Sequence, residues 1–278
     1  MKPRIIITTG DPRGIGLEVT KKALRDPGIK RLADFCLIEP SDNTGFCAIE
    51  KAALILKKGE AQGLVTAPVN KAAINRSGIP FKGHTEYLAS ITHTKKIVMM
   101  FCGGPFKVTI VTRHVALRDV PRVITQENIK DAIILTDRAL KRYFKIPRPK
   151  IGICGLNPHC GESGLIGTEE KNIIIPAIEK IRSKVKGIQG PISTDVIFYM
   201  SYHRKLDAVI SMYHDQGLGP FKMVAFDKGV NVSLGLPFVR TSPDHGTAYD
   251  IAGKGKANPN SMKEAIRLAV SMCRTNKC

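Results

Sequence analysis

Residues 208–212, Ala-Val-Ile-Ser-Met, give way without transition to Tyr213-His-Asp-Gln-Gly217, and this change of character restricts the fold more than any other feature. A short, mainly apolar run of that length reads as a buried strand. The loop expected after it is dense in groups that bind metal ions and move protons. Open α/β sheets place such chemistry beyond the carboxyl ends of their strands. The same shape occurs twice more. Residues 108–112 run into Arg113-His114, and residues 151–154 run into Gly155-Leu-Asn-Pro-His159. Three strands that each end in a histidine point to one site.

The rest of the chain alternates in the same way. Strands are expected at 4–8, 35–38 and 64–66, and an antiparallel hairpin at 97–101 and 108–112. Helices are expected at about 45–58, 126–144 and 261–272, where apolar residues recur with helical spacing. Such alternation argues an α/β fold. A chain of 278 residues allows one large or two modest domains, and the division expected is 1–100 plus 241–278 against 101–240. Residues 235–248 read as a loop rich in ligand-type side chains.

Composition excludes several classes. There is no run of about 18 apolar residues, so no membrane span is expected. The first residues pass straight into a strand without a signal-peptide pattern. The seven cysteines are odd in number and contain no Cys-x-x-Cys pair, which fits reduced thiols and a cytoplasmic protein. The net charge of +19 would suit nucleic acid, but the lysines are scattered and tryptophan is absent, which leaves little for base stacking. Attraction of anionic metabolites accounts for the charge equally well.

Several stretches admit two readings. Gly10-Asp-Pro-Arg-Gly-Ile-Gly16 is either a tight strand-to-helix turn or a ligand loop, and its spacing is not that of a dinucleotide fingerprint. Thr66, Asn70 and Lys71 either touch a substrate or cap a helix. His84 and Thr85 open a helix, where free N–H groups favour an anion, although a capping role fits too. His114, His159 and His214 are each structural when taken singly. Together, with an open position, they suit a catalytic divalent ion, with Zn²⁺ favoured by ligand softness and Mg²⁺ or Co²⁺ as alternatives.

The blocks Gly10-Asp-Pro-Arg-Gly-Ile-Gly, Gly83-His-Thr-Glu86, Gly155-Leu-Asn-Pro-His159, Tyr213-His-Asp-Gln-Gly217, Leu234-Gly-Leu-Pro-Phe-Val-Arg-Thr-Ser242 and Asp244-His-Gly-Thr247 resemble, in order and over nearly the whole chain, the 4-hydroxythreonine-4-phosphate dehydrogenase family. The resemblance implies two α/β/α domains of the isocitrate and isopropylmalate dehydrogenase type. It also implies a homodimer with a shared active site, its dimer interface expected on the second domain. The implied reaction is NAD-dependent oxidation and decarboxylation of 4-phosphohydroxy-L-threonine to 3-amino-2-oxopropyl phosphate, on the route to pyridoxal phosphate. Metal binding then falls on His114, His159 and His214, and substrate binding on His84, Thr85, Lys222, Asn231 and Arg240. Lys222 is the candidate for proton transfer, with Asp215 and Asp195 orienting histidines or substrate. The segment from His245, Gly246, Thr247 and Ala248 to Asn258 is implied to hold NAD, with NADP as the alternative.

Two departures from the family pattern stand out. Leu17 replaces a proline of the first loop, and the segment between Ile38 and the helix at 45 is short. A paralogous dehydrogenase of 4-phospho-D-threonate or 4-phospho-D-erythronate would use the same residues. A metal-dependent lyase without NAD is the rival of another class.

Overall fold

Ile5, Ile6 and Ile7 are completely buried, so the first strand has no solvent face, as in a parallel sheet covered on both sides. The computed structural model describes residues 2–275, and among them ten strands follow in chain order. These are β1 (Arg4–Thr8), β2 (Asp34–Ile38), β3 (Gly63–Thr66), β4 (Val98–Gly103), β5 (Phe106–Ile110), β6 (Ile151–Cys154), β7 (Ile188–Ile192), β8 (Ala208–Ser211), β9 (Val230–Leu234) and β10 (Val239–Pro243). The helices are α1 (Gly16–Arg25), α2 (Pro27–Lys30), α3 (Phe46–Lys57), α4 (Lys71–Arg76), α5 (His84–Ile91), α6 (Val120–Val123), α7 (Gln126–Phe144), α8 (Ile175–Arg182), α9 (Thr194–Tyr202), α10 (His214–Ala225) and α11 (Asn260–Thr275). The alternation expected of an α/β chain is therefore present.

Residues 1–95 and 227–278 form one unit, and residues 96–226 another. In the first unit the strands lie in the order β2-β1-β3-β10-β9, parallel except for the antiparallel β9–β10 pair. The expected boundary at 240 differs from this division, because the pairing of β10 with β3 draws residues 227–240 into the first unit. An apolar knot of Phe46, Ile49, Ile74 and Phe81 fixes α3, α4 and the entry to α5. The Phe81 ring packs edge-on against Tyr87's neighbour Phe46 and against His84, so the core itself sets where the first turn of α5 sits.

The connection from β2 to α3 is short and closed on itself. The Asp42 carboxylate accepts the N–H groups of Gly45 and Cys47 at 2.8 and 3.2 Å and the Thr44 hydroxyl at 2.8 Å. These bonds satisfy donors of the first turn of the helix.

In the second unit the order is β4-β5-β8-β6-β7, with β4 and β5 an antiparallel hairpin and the others parallel. Its core gathers Phe101, Phe106, Val108, Ile110, Val209, Leu218 and Phe221. Phe221 is wholly buried, and a side chain of that size contributes about 2–3 kcal/mol by leaving water. It pins α10 to the hairpin, its ring 5.9 Å from that of Phe101.

Two local expectations are corrected. His214 does not lie in a loop but heads α10, a helix that accommodates Gly217, Gly219 and Pro220. Residues 235–248 are not all loop, because β10 runs through them with all five of its residues buried.

Candidate active site

Strands β5, β8 and β6 are consecutive neighbours and mutually parallel, so their carboxyl ends share one edge of the sheet. The residues that follow are Arg113-His114, Tyr213-His214 and the stretch to His159. The rings of His114 and His214 lie 5.6 Å apart, centre to centre. Two imidazoles on one tetrahedral ion, with metal–nitrogen bonds near 2.0–2.1 Å, have ring centres about 5 Å apart. This pair therefore fits a shared ion. The Nδ1 of His214 shares a hydrogen with Asp215 Oδ1 at 2.7 Å, which orients the ring and directs Nε2 away from the carboxylate.

His159 stands on an exposed turn in left-handed conformation, φ 50°. It shares a cleft of about 400 Å³ with Asn157, Ser193, Thr194, Asp195, Tyr213 and Gln216. The Asp195 carboxyl is held below its usual range, first by a hydrogen bond from Ser193 and further by the neighbouring His159. Among the described residues no three His, Cys, Asp or Glu side chains converge on one point. One chain thus gathers two of the three histidines.

Gln216 explains why these loops stand where they do. Its Oε1 accepts the Met212 N–H at 2.6 Å, and its Nε2 donates to the Gly155 carbonyl at 2.7 Å and to Thr194 Oγ1 at 2.9 Å. A single buried amide thereby ties the ends of β8 and β6 to the start of α9. The next residue must be glycine, since a Cβ at 217 would lie 2.4 Å from Ser211 Oγ and 3.0 Å from Val108.

In the first unit, Arg240 is buried and its guanidinium donates to Thr66 Oγ1, Ser233 Oγ and Asn231 Oδ1. Ser233 in turn shares a hydrogen bond of 3.0 Å with Thr85. All of these hydrogen-bond acceptors are neutral, and the negative charge that acts on the cation is that of Glu86. Burial lowers the Arg240 pKa to about 10, with Glu86 acting in the opposite direction. The His84 Nε2 is sealed from solvent without a hydrogen-bond partner. Burial first, then the positive Arg240 and Lys71, hold this imidazole well below its usual pKa, so it is neutral. A withdrawn cation, a neutral imidazole with a free nitrogen and an adjacent lysine make a receptor for an anion.

His84, Thr85, Asn231 and Arg240 are thus brought together. Lys222 belongs to the second unit, where its ammonium sits 5.4 Å above the Phe226 ring. Asn70 caps α4 by accepting the Ala73 N–H at 3.0 Å, and its amide also donates to Tyr249 Oη.

The loop from His245 to Asn258 docks on the first glycine loop. Ile15 N–H donates to the Thr247 carbonyl at 3.0 Å, and a Cβ on Gly14 would lie 2.9 Å from that oxygen. Tyr249 Oη donates to the buried Asp11, which also holds Arg13. Those glycines therefore serve close packing. Gly246, Gly253 and Gly255 are exposed and have open space where a side chain would stand. His245 Nδ1 contacts the Gly246 carbonyl, and Asn258 Oδ1 accepts the Asn260 N–H.

Residues 37–269 match the family model of the pyridoxal phosphate biosynthetic protein PdxA. The chain belongs to that family. It is 39% identical over 327 aligned positions to a 4-hydroxythreonine-4-phosphate dehydrogenase of Geobacter metallireducens, covering 98% of this chain and 96% of the relative. A Sulfurihydrogenibium enzyme of the same name is 45% identical over 82% of this chain and 70% of its own length. The solved Klebsiella pneumoniae 4-hydroxythreonine-4-phosphate dehydrogenase superposes with a TM-score of 0.85 at 33% identity, covering 98% of each chain. An isocitrate dehydrogenase from Methylococcus capsulatus, at 15% identity and a TM-score of 0.56 over 98% of this chain and 88% of its own, shares the fold alone. The fold expected from the PdxA-type motifs is therefore the one found. With 327 aligned positions against 278 residues, at least 49 positions of the Geobacter protein have no counterpart here.

Within the PdxA fold, sequence reasoning left out Ser233 and Gln216 and left Thr66 open. Ser233 had a signal, since it lies two residues from Asn231 on β9 and so shares its face. Gln216 had none, because two of its three bonds are made to residues distant in the chain, Gly155 and Thr194.

Proposed function

We propose that this chain oxidises 4-phosphohydroxy-L-threonine at C3 with NAD and releases CO2, forming 3-amino-2-oxopropyl phosphate for pyridoxal phosphate biosynthesis. The observation that carries this reading is the buried Arg240, bonded to neutral oxygens beside the neutral, unpartnered His84. Such a receptor suits the phosphate or carboxylate of a small dianionic substrate. The names of the family relatives supply the reaction class.

Arg240, Asn231, Thr85 and His84 are assigned to the anionic groups of the substrate. His114, His159 and His214 would hold a divalent ion, Zn²⁺ before Mg²⁺ or Co²⁺, which supplies Lewis acidity toward the C3 oxygen. His245, Gly246, Thr247, Ala248 and Asn258 would hold the adenosine end of NAD or NADP, whose nicotinamide would supply the hydride acceptor for C3. Lys222 is the proposed carrier of the proton lost from the C3 hydroxyl and later returned to C2 when the C1–C2 bond breaks. Asp215 orients His214, and Asp195 faces His159.

A homodimer with a shared site belongs to the same reading. Its support is the apolar surface of the second unit, where Tyr199, Tyr202, Met223 and Phe226 are each more than half exposed. Large apolar side chains left in water on two helices, α9 and α10, suit burial against a second copy. The separation of His159 from the His114–His214 pair within one chain also accords with completion by a second copy.

The test is NADH formation from 4-phosphohydroxy-L-threonine, with and without Zn²⁺ or Mg²⁺, beside 4-phospho-D-threonate. Metal-dependent turnover of the first establishes the activity. Turnover of the second alone keeps the chemistry and changes the substrate. Absence of NADH from both, with folded and metal-loaded protein, ends the dehydrogenase reading in favour of chemistry without NAD.

A further inference from the structure

We infer that Glu170 is a positioning residue for His159, acting through the backbone at Leu156 and Asn157. The inference rests on the metal-binding role proposed for His159. Glu170 is only 3% exposed, yet its carboxylate is fully engaged. Oε1 accepts the N–H groups of Leu156 and Asn157, both at 2.7 Å, and Oε2 accepts the Asn157 side-chain amide at 2.9 Å. The same amide donates to Glu169 Oε2 at 2.7 Å. Two consecutive acidic residues thus clamp one asparagine two positions before the histidine.

The segment beyond the clamp cannot hold its shape alone. His159, Cys160, Glu162 and Ser163 have φ of 50°, 55°, 41° and 59°, and Gly161 lies between them at 77°. A left-handed run is disfavoured for every side chain except glycine, so it persists only where its ends are fixed. One end is fixed by Glu170. Inside the turn, Cys160 N–H donates to the Asn157 carbonyl and Ile166 N–H to the Gly161 carbonyl. Glu170 also opens a π-helical turn, Glu170–Ile174, ahead of α8, a wide turn often found where a helix is bent to serve a site. The carboxylate acts as an acceptor only: each of its hydrogen bonds comes from an N–H donor. A glutamine of the same shape would turn an NH2 group toward some of those donors.

The experiment compares wild-type protein, Glu170→Gln and Asn157→Ala, all metal-free. Co²⁺ is titrated in and followed by its ligand-field absorption, while amide exchange of the segment 155–166 and the melting temperature are measured. Glu170→Gln is expected to stay folded, to exchange faster over 155–166 and to bind Co²⁺ about 10–100-fold more weakly, the loss usual when support of a metal ligand is removed. Asn157→Ala, which keeps both backbone bonds, is expected to lose a smaller part of the affinity. A folded Glu170→Gln with wild-type Co²⁺ affinity, or with unchanged exchange, overturns the inference. If Glu170→Gln does not fold, Asn157→Ala decides, and unchanged affinity there overturns it equally. Wild-type protein that binds no Co²⁺ removes the histidine reading itself, and that result is visible before any variant is compared.

Discussion

Two donors of the Arg240 guanidinium, Nε at 3.2 Å and Nη2 at 2.6 Å, converge on the one hydroxyl oxygen of Thr66. Thr66 ends β3 and Arg240 lies on the neighbouring parallel strand β10, so the contact spans 174 residues of sequence and one strand spacing. It holds the planar cation in a single orientation without neutralising it.

Thr66→Val keeps the shape and removes that acceptor. Hydrogen bonds to charged groups contribute about 1.5–3 kcal/mol, so KM for the phosphorylated substrate should rise about 10–100-fold, with a smaller change in kcat. Steady-state kinetics on the folded variant check this. A KM within twofold of wild type would remove Arg240 from substrate binding.

The depressed pKa of His84 has a consequence for stability. The unfolded chain takes up a proton on this residue near pH 6.5, and the folded chain resists doing so until a lower pH. Stability contributed by the neutral ring is therefore complete above about pH 6.5 and is lost as pH falls through the folded value. Melting temperatures between pH 7.5 and 5 should fall less steeply in His84→Gln. Inorganic phosphate should flatten the wild-type curve, because an anion at the receptor opposes the lowering by Arg240 and Lys71.

Gly217→Ala and Gly246→Ala separate packing from ligand space. The first forces a methyl group against Ser211 and Val108 and should destabilise by about 1–3 kcal/mol. The second meets nothing within 4 Å, so its melting temperature should match wild type while KM for NAD rises several-fold. An unchanged KM for NAD would move the cofactor away from this loop.

His114→Ala, His159→Ala and His214→Ala alter side chains with solvent access and should each leave the melting temperature nearly unchanged. Each should also abolish metal-dependent NADH formation. Turnover that persists in chelator-treated buffer would show that the metal mechanism is wrong.

Phe226→Glu places a charge on the apolar surface of the second unit. Wild type is expected to sediment as a dimer and this variant as a monomer; two identical profiles would put the interface elsewhere.

Much of this architecture can be read in the chain. Helix α7 and strand β6 lie where periodicity and the apolar run put them, because burial decided both. Strand β10 was hidden, since Arg-Thr-Ser-Pro has the composition of a loop and becomes a strand only by pairing with β3 and β9. Helix α10 was hidden for the opposite reason. Gly217, Gly219 and Pro220 look like helix breakers, but Gly217 is demanded by the close approach of the helix to β5 and β8. At the site, His84, Thr85, Asn231 and Arg240 were legible only through motif resemblance. Their joining through Ser233 and Thr66 depends on strand register, which no local window contains. The left-handed turn at His159 was equally illegible, as its cause lies at Glu170, eleven residues on.

The self-capped turn at Asp42 bears on how the fold tolerates change. The three donors that Asp42 accepts all come from within five residues of it, and the close approach to another segment is that of Gly45 to the Gly10 carbonyl, so the connection makes small demands on its neighbours. The entropy of closing a flexible loop grows only with the logarithm of its length, so replacing such a corner by some fifty residues would cost about 2 kcal/mol. Chain length at a joint of this kind is almost a free variable, and a protein can shed or gain a segment there while its strands keep their partners.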